Sequence, residues 1–155
     1  MQRSSVCGQL RCYHAYSEME NSAMACKTHH INLVVRDLAA AVRIYERMLG
    51  QPATRCDHLP GRGVDIVRLK LGDTWLILVQ PVKQGTELAR FLDKNGEGFF
   101  LLSLDVESVA GAAQASGVPI QGPSRDGLDD WYIQDLDVEA TFGAQIQYCE
   151  HRSGK

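Results

Sequence analysis

The sequence predicts an α+β fold in which one β-α-β-β-β unit occurs twice. Strand-like and helical segments follow the same order in both halves of the chain. Stretches of the two halves also align with each other, 30–35 with 101–106 and 73–78 with 143–148. Internal similarity of this kind is typical of a duplicated supersecondary unit, in which neither copy buries its sheet alone. We therefore expect the two units to pack together.

Length and composition favour one globular domain. The chain has 155 residues, of which 45% are hydrophobic and 23% charged, and this is enough apolar material for a core. The formal net charge of -3 lacks the basic excess of nucleic-acid-binding proteins, and no apolar run reaches the ~18 residues that span a bilayer. Five irregularly spaced cysteines favour free thiols in a reducing compartment. We expect a cytoplasmic protein with no nucleic-acid or membrane partner.

The first module follows a polar, aperiodic segment that predicts a flexible leader. Its predicted elements are a strand over 30–35, a helix over 38–49, and strands over 63–71 and 74–80. Asp37 is a good N-cap for the helix and Gly50 a good C-terminal stop. The Gly72-Asp73 pair is typical of the tight turn between two antiparallel strands.

A bridging helix and a second module complete the chain. Leu88, Phe91 and Leu92 have helical spacing in the segment before Gly96. The second module is predicted to contain a strand over 99–106, a helix over 107–116, a short extended piece over 117–120, and strands over 130–135 and 144–149. The predicted organisation is a leader (1–27), a first module (28–82), a bridging helix (83–96), a second module (97–151) and a polar tail (152–155).

Four segments carry a family resemblance: HINLVVRDL (30–38), YERMLG (45–50), LARFLDKNGEG (88–98) and GAQIQYCE (143–150). In this order they resemble the vicinal oxygen chelate superfamily, the glyoxalase I and bleomycin-resistance fold, and within it the methylmalonyl-CoA epimerase branch. The resemblance covers about residues 28–151. It implies two paired βαβββ modules that form a curved mixed sheet around a cleft, and a homodimer.

The resemblance also identifies four positions that hold a metal ion in metal-dependent members, one on the first and one on the last strand of each module. In this chain they are His30, Ile77, Leu101 and Gln147. Two aliphatic side chains offer no lone pair, and one imidazole with one amide lacks the coordination and charge that a divalent cation needs. We therefore expect no metal site and no cofactor.

Strand alternation predicts the lining of the cleft if His30 faces it. The predicted ligand-binding residues are His30, Asn32, Ile66, Arg68, Trp75, Ile77, Leu101, Ser103, Gln145 and Gln147. A mostly apolar pocket with a few polar groups is typical of a small-molecule site. The same alternation sends His29 to the opposite, surface-exposed face. Two roles stay open for Arg68, which could hold an acidic ligand group or pair with a local carboxylate.

Three functions are compatible with this cleft. The favoured one is a metal-free protein that binds a small, largely apolar or aromatic molecule, because the aliphatic Ile77 and Leu101 stand at two of the metal-binding positions. Ile66 also stands where the resemblance places the general base of the epimerases. The alternative is an epimerase, isomerase or lyase acting on an acyl thioester or small carbonyl compound, with His30 as acid/base and Gln147 or Asn32 polarising a carbonyl. The third is a domain that only dimerises, its cleft filled by its own side chains.

Overall fold

The structure is a computed structural model that describes residues 26–152. The predicted leader therefore lies outside the described residues except for its last two, and the predicted tail except for Arg152. No helix within 26–152 combines the length and apolar character needed to cross a membrane.

The described residues form eight strands and three helices. The strands are β1 (Lys27–Val34), β2 (Arg55–Leu59), β3 (Val64–Leu71), β4 (Thr74–Pro81), β5 (Gly98–Asp105), β6 (Ile120–Asp126), β7 (Trp131–Leu136) and β8 (Ile146–His151). The helices are α1 (Leu38–Leu49), α2 (Glu87–Asn95) and α3 (Val109–Ser116). In chain order these elements are two β-α-β-β-β units joined by α2.

All eight strands belong to one sheet, in the order β2-β3-β4-β1-β5-β8-β7-β6. Within each unit the first and last strands pair in parallel, β1 with β4 and β5 with β8. The two first strands, β1 and β5, pair antiparallel and join the units at the centre. The second half of the sheet thus repeats the order of the first in reverse, which confirms the predicted α+β fold of two βαβββ modules.

Helix α1 covers the outer face of the first module. Its N-cap, Asp37, accepts a hydrogen bond from the backbone N–H of Ala40 (2.9 Å), and Gly50 ends it in the left-handed conformation, φ +66°. The helix packs on a core of buried side chains that includes Leu69 and Leu78, both with 0% exposure. This packing holds β3 and β4 in place and leaves their other face free to form a cleft.

The two edge strands are the part of the fold that the sequence pattern missed. β2 was not predicted, and β6 occupies 120–126 where only a short extended piece at 117–120 was expected. Both strands are mostly solvent-exposed and contain few apolar residues. They pair with β3 and β7 through backbone hydrogen bonds, a constraint that side-chain alternation does not record.

Candidate functional site

A cavity of about 330 Å³ lies on the face of the sheet opposite α1. The first module supplies an apolar wall from β3 and β4, which includes Val64, Ile66, Ile77 and Val79. The second module adds Trp131 and half of the polar side chains: Gln121, Arg125, Asp135, Gln145 and Gln147. A mostly apolar cavity with convergent polar side chains is the usual form of a small-molecule site.

The structure places most of the predicted site residues together. Seven of them line the cavity: His30, Asn32, Ile66, Ile77, Leu101, Gln145 and Gln147. The other three, Arg68, Trp75 and Ser103, do not line it.

Arg68 is buried in an ion-pair network. Its guanidinium donates to Asp57 (Nη2 to Oδ2, 2.8 Å) and to Asp129 (Nη1 to Oδ2, 2.6 Å). Hydrogen bonding to Arg68 lowers the pKa of the Asp129 carboxyl. Of the two roles considered for Arg68, the structure therefore shows the local carboxylate pair, which ties β3 to the loop before β7.

Trp75 and Ser103 make other contacts and do not line the cavity. The ammonium of Lys70 lies 4.1 Å from the centroid of the Trp75 ring, beside the Gly72-Asp73 turn that joins β3 to β4. Ser103 has 0% exposure, and its hydroxyl donates to Oε1 of Gln147 (3.4 Å). Gln147 in turn donates through Nε2 to Oδ1 of Asp135 (2.8 Å), so its amide orientation is fixed from both sides.

His30 is the buried titratable group in the cavity wall. Its ring stacks on Trp131 at 5.0 Å and 17°, and its Nδ1 lies 2.7 Å from Nδ1 of His29. Burial, followed by the nearby charges of His29 and Arg68, lowers the pKa of His30 to about 3. His30 is therefore a neutral imidazole near pH 7, and Nε2 is its ring nitrogen without a hydrogen-bond partner among residues 26–152.

The prediction that His29 is a surface residue is wrong. The pairing of β1 with β5 shifts register between Thr28 and His30, as at a β-bulge, so alternation is lost at this point. The His29 side chain lies on the same side as His30, packs edge-on against Trp131 at 4.5 Å and is 5% exposed. Burial is the main cause that lowers the pKa of His29, to about 4.

Asn32 presents an unsatisfied polar atom in the cavity wall. Its Oδ1 is buried and has no hydrogen-bond partner within the described chain. A buried acceptor left without a partner costs about 1–3 kcal/mol. An N–H or O–H group of a bound molecule would remove this cost.

Two arginines that the sequence reasoning missed, Arg62 and Arg125, also line the cavity. Arg62 donates to the backbone carbonyls of Asp126 (3.3 Å) and Gly127 (3.0 Å), and burial together with Arg125 lowers its pKa. Arg125 pairs with Asp135 at 2.6 Å. Arg62 lies in a loop and Arg125 in an unpredicted strand, so neither had a periodicity that could reveal it. Because Arg125 is already paired with Asp135, Arg62 is the arginine of the two that an anionic group of a ligand would contact.

The four metal-binding positions of the resembling family do not form a metal site in this chain. Ile77 and Leu101 contribute only hydrocarbon to the cavity, and the amide of Gln147 is engaged by Ser103 and Asp135. No group of three His, Cys, Asp or Glu side chains within 26–152 has the arrangement to hold a metal ion. This donor set does not fit a divalent cation, which prefers several oxygen or nitrogen ligands.

Comparison with known proteins gives a family match and two related enzymes. A family model described as "Glyoxalase/Bleomycin resistance protein/Dioxygenase superfamily" matches residues 29–134. Human mitochondrial methylmalonyl-CoA epimerase is 30% identical over 87 residues, which cover 56% of this chain and 49% of the human protein. The ethylmalonyl-CoA/methylmalonyl-CoA epimerase of Cereibacter sphaeroides is 30% identical over 90 residues, covering 57% and 67%. The match thus spans about half the length of the human relative.

Solved structures share the fold over most of their length. A hypothetical protein from Bacillus halodurans superposes with a TM-score of 0.77 at 23% identity, covering 84% of this chain and 98% of that one. A variant of Streptomyces coelicolor methylmalonyl-CoA epimerase, solved in complex with 2-nitronate-propionyl-CoA, gives 0.73 at 23% identity and covers 82% and 95%. At these identities the likeness concerns the fold.

Proposed function

The chain belongs to the glyoxalase/bleomycin resistance protein/dioxygenase superfamily, and from that premise we propose that it is an isomerase or lyase of the methylmalonyl-CoA epimerase kind. The observation that carries the proposal is the neutral imidazole of His30 in the cavity wall, with Nδ1 engaged and Nε2 free. The relatives support it, since both are epimerases of acyl-CoA compounds.

The reaction that fits this site is proton transfer at the carbon next to a carbonyl group. His30 Nε2 takes the proton, the C–H electron pair moves to the carbonyl oxygen, and an enolate forms. The amides of Asn32 and Gln145 line the cavity and can donate to that oxygen. The amide of Gln147, which was expected to polarise the carbonyl, is already engaged by Ser103 and Asp135. Delivery of a proton to the opposite face of the planar enolate completes an isomerisation, whereas return to the same face gives exchange alone. The step needs no oxidant, and its proton goes to His30 without a metal ion.

The substrate class follows from the cavity walls. The hydrocarbon wall around Ile66 and Ile77 accepts a short acyl chain, and Arg62 can hold a carboxylate through charge-assisted hydrogen bonds. A short acyl thioester that carries a carboxylate combines these features. Methylmalonyl-CoA, which the relatives are named for, is the first compound to try.

A binding protein without catalysis is the second candidate. Its support is the apolar cavity and the two aliphatic residues, Ile77 and Leu101, at the metal-binding positions. Neither relative described above is a binding protein of that kind, so the comparisons do not support the binding function that the sequence favoured. A binding function would remain if the chain bound acyl thioesters without exchanging their α-protons.

A homodimer and a cytoplasmic location stay predictions. Ile44 and Met48, one turn apart on α1, are 51% and 65% exposed and offer an apolar surface on which a second copy could pack. Light scattering of the purified chain tests the first prediction, and cell fractionation tests the second.

The proposed activity is tested by incubating the protein with a single epimer of methylmalonyl-CoA in D2O and following the α-proton by NMR. We expect loss of the α-proton signal or formation of the other epimer. His30→Gln should slow the reaction about 100-fold or more, the usual contribution of a positioned acid/base group. His58→Gln is the matched control, because His58 is exposed and does not line the cavity. Binding without either change would leave only the second candidate.

A further inference from the structure

Three histidines and one aspartate form a continuous hydrogen-bonded chain from the cavity to the surface. His30 Nδ1 lies 2.7 Å from His29 Nδ1, and His29 Nε2 lies 3.0 Å from His151 Nε2. His151 Nδ1 lies 3.1 Å from Oδ2 of Asp130. His30 and His29 are buried, whereas the side chains of His151 and Asp130 are 48% and 45% exposed.

The carboxylate at the outer end fixes the position of every proton along this chain. Ionised Asp130 can only accept, so Nδ1 of His151 carries a proton and, in the neutral ring, Nε2 accepts. His29 then donates through Nε2 and accepts at Nδ1. His30 must therefore donate through Nδ1, and the tautomer that remains has its lone pair on Nε2, the nitrogen that a proton-abstracting base needs.

We propose that His29, His151 and Asp130 are a proton relay that holds His30 in its basic tautomer and carries positive charge from the cavity to the surface. The relay rests on the proposed function, because it serves a base at His30. Its three members are positioning residues, since none of them lines the cavity. The sequence pattern could not reveal them, because His29 and His151 are 122 residues apart and meet only in the folded sheet.

Each proton that enters the relay at His30 is matched by one that moves on to the next histidine. When Nε2 of His30 receives a proton from the substrate carbon, its Nδ1 proton passes to Nδ1 of His29. The Nε2 proton of His29 passes to Nε2 of His151, which becomes an imidazolium paired with Asp130. One proton has entered at the cavity and one positive charge stands at the surface, while His30 carries Nε2–H and can act as the acid that returns a proton.

The surroundings explain why the charge moves outward. Burial keeps the pKa of His30 at about 3 and that of His29 at about 4, so neither ring holds an imidazolium near neutral pH. The positive charge of Arg68 disfavours a second positive charge at His30. At His29, Lys70 also disfavours a positive charge, whereas the carboxylates of Asp105 and Asp130 favour it. Of the three histidines in this chain of hydrogen bonds, His151 is the one that is exposed to solvent and contacts a carboxylate.

Turnover measurements test the relay against a matched pair elsewhere in the fold. His58 and Asp65 also form an exposed histidine–carboxylate pair, remote from the chain of histidines. We expect His151→Ala and Asp130→Asn to lower kcat about tenfold or more with little change in KM, and added imidazole to restore the His151→Ala rate. His58→Ala and Asp65→Asn should leave kcat unchanged. Equal rates in all four variants, or a loss that imidazole does not relieve, would overturn the relay.

A second measurement does not depend on turnover. Nitrogen NMR of the labelled wild-type protein should show neutral His30 with the proton on Nδ1, neutral His29 with the proton on Nε2, and a proton on Nδ1 of His151. Asp130→Asn, which can donate as well as accept, should mix these tautomers, while Asp65→Asn should leave them as they are. Finding the proton of His30 on Nε2 in the wild type would contradict the relay. Absence of turnover with these tautomers present would instead contradict the proposed function alone.

Discussion

The two modules have the same strand order, yet they supply different parts of the site. In the first, most residues of β3 and β4 are buried and the side chains that they present to the cavity are aliphatic. In the second, β6 is mostly exposed, and the corresponding half of the cavity carries Trp131, Asp135, Gln145 and Gln147. In this duplicated fold, the first module therefore provides an aliphatic wall of the cavity, and the second module provides half of its polar side chains.

The metal-binding positions of the superfamily show a second contrast between the modules. Each module has kept one polar residue and has an aliphatic one at the other position: His30 with Ile77, and Leu101 with Gln147. The two polar residues differ in their partners, because Gln147 is engaged by Asp135 whereas His30 is linked to the chain of histidines. Only the first module therefore contributes a titratable group with a free ring nitrogen.

Arg68 links the first module to Asp129 of the second, and we expect its replacement to have the largest effect on the free energy of unfolding. Arg68→Met leaves Asp57 and Asp129 without their buried partner and should lower the free energy of unfolding by about 3 kcal/mol. Arg55→Met is the control, because Arg55 contacts the same two carboxylates but is 55% exposed, and it should cost less than about 1 kcal/mol. Urea unfolding measures both, and equal losses would contradict a special role for Arg68.

Acidification sharpens the contrast at the histidines. His29 and His30 have folded-state pKa values below the 6.5 of an unfolded chain, so the unfolded state binds protons first as pH falls. Their contribution to stability is therefore present above pH 6.5 and declines below it, by about 2 kcal/mol in total between pH 6.5 and 5.5. The double variant His29→Gln/His30→Gln should flatten this slope. An unchanged slope in urea titrations at several pH values would speak against buried neutral imidazoles.

The anionic end of the substrate should depend on Arg62 from the first module. Arg62→Gln removes a positive charge from the cavity and should raise KM for a carboxylate-bearing substrate about tenfold, equivalent to about 1.4 kcal/mol. A substrate that lacks the carboxylate should show little change. Arg43→Gln, on the exposed surface of α1, is the matched control. A KM that rises equally for both substrates would argue against carboxylate recognition.

The smallest effect on stability is expected at Asn32. Asn32→Leu keeps four side-chain heavy atoms branched at Cγ and removes the buried acceptor that lacks a partner. The free energy of unfolding should therefore stay the same or rise by at most about 1 kcal/mol. Substrate affinity should fall, because the contact offered by the amide is lost. Lower stability together with unchanged affinity would show that the Asn32 amide serves the fold instead of the ligand.

How far the sequence predicts the site differs between these regions. Alternation along regular strands located His30, Asn32, Ile66 and Ile77 in the cavity wall, because each strand is paired on both sides and one face is buried. It failed for His29, where a register shift turns two consecutive side chains to the same side. A bulge has no hydrophobic pattern of its own, so alternation alone could not show it.

The other misses have a common physical origin. β2 and β6 form by backbone pairing to a neighbour, with little apolar surface to mark them. Trp131 lies in a strand that was predicted, but nothing in the pattern fixed which face of it points to the cavity. Long-range contacts such as Arg68 with Asp129 depend on where loops lie after folding. Local periodicity reports burial within an element, whereas these features come from how elements meet.

The most direct test of the central claim is α-proton exchange of methylmalonyl-CoA measured on protein treated with a strong chelator, before and after addition of cobalt or magnesium. If His30 acts as a metal-independent base, the rate should be the same in both conditions and should fall about 100-fold in His30→Gln. Exchange that appears only after the metal is added would contradict the account. It would mean that a cation binds beside Ile77 and Leu101 despite their lack of donor atoms.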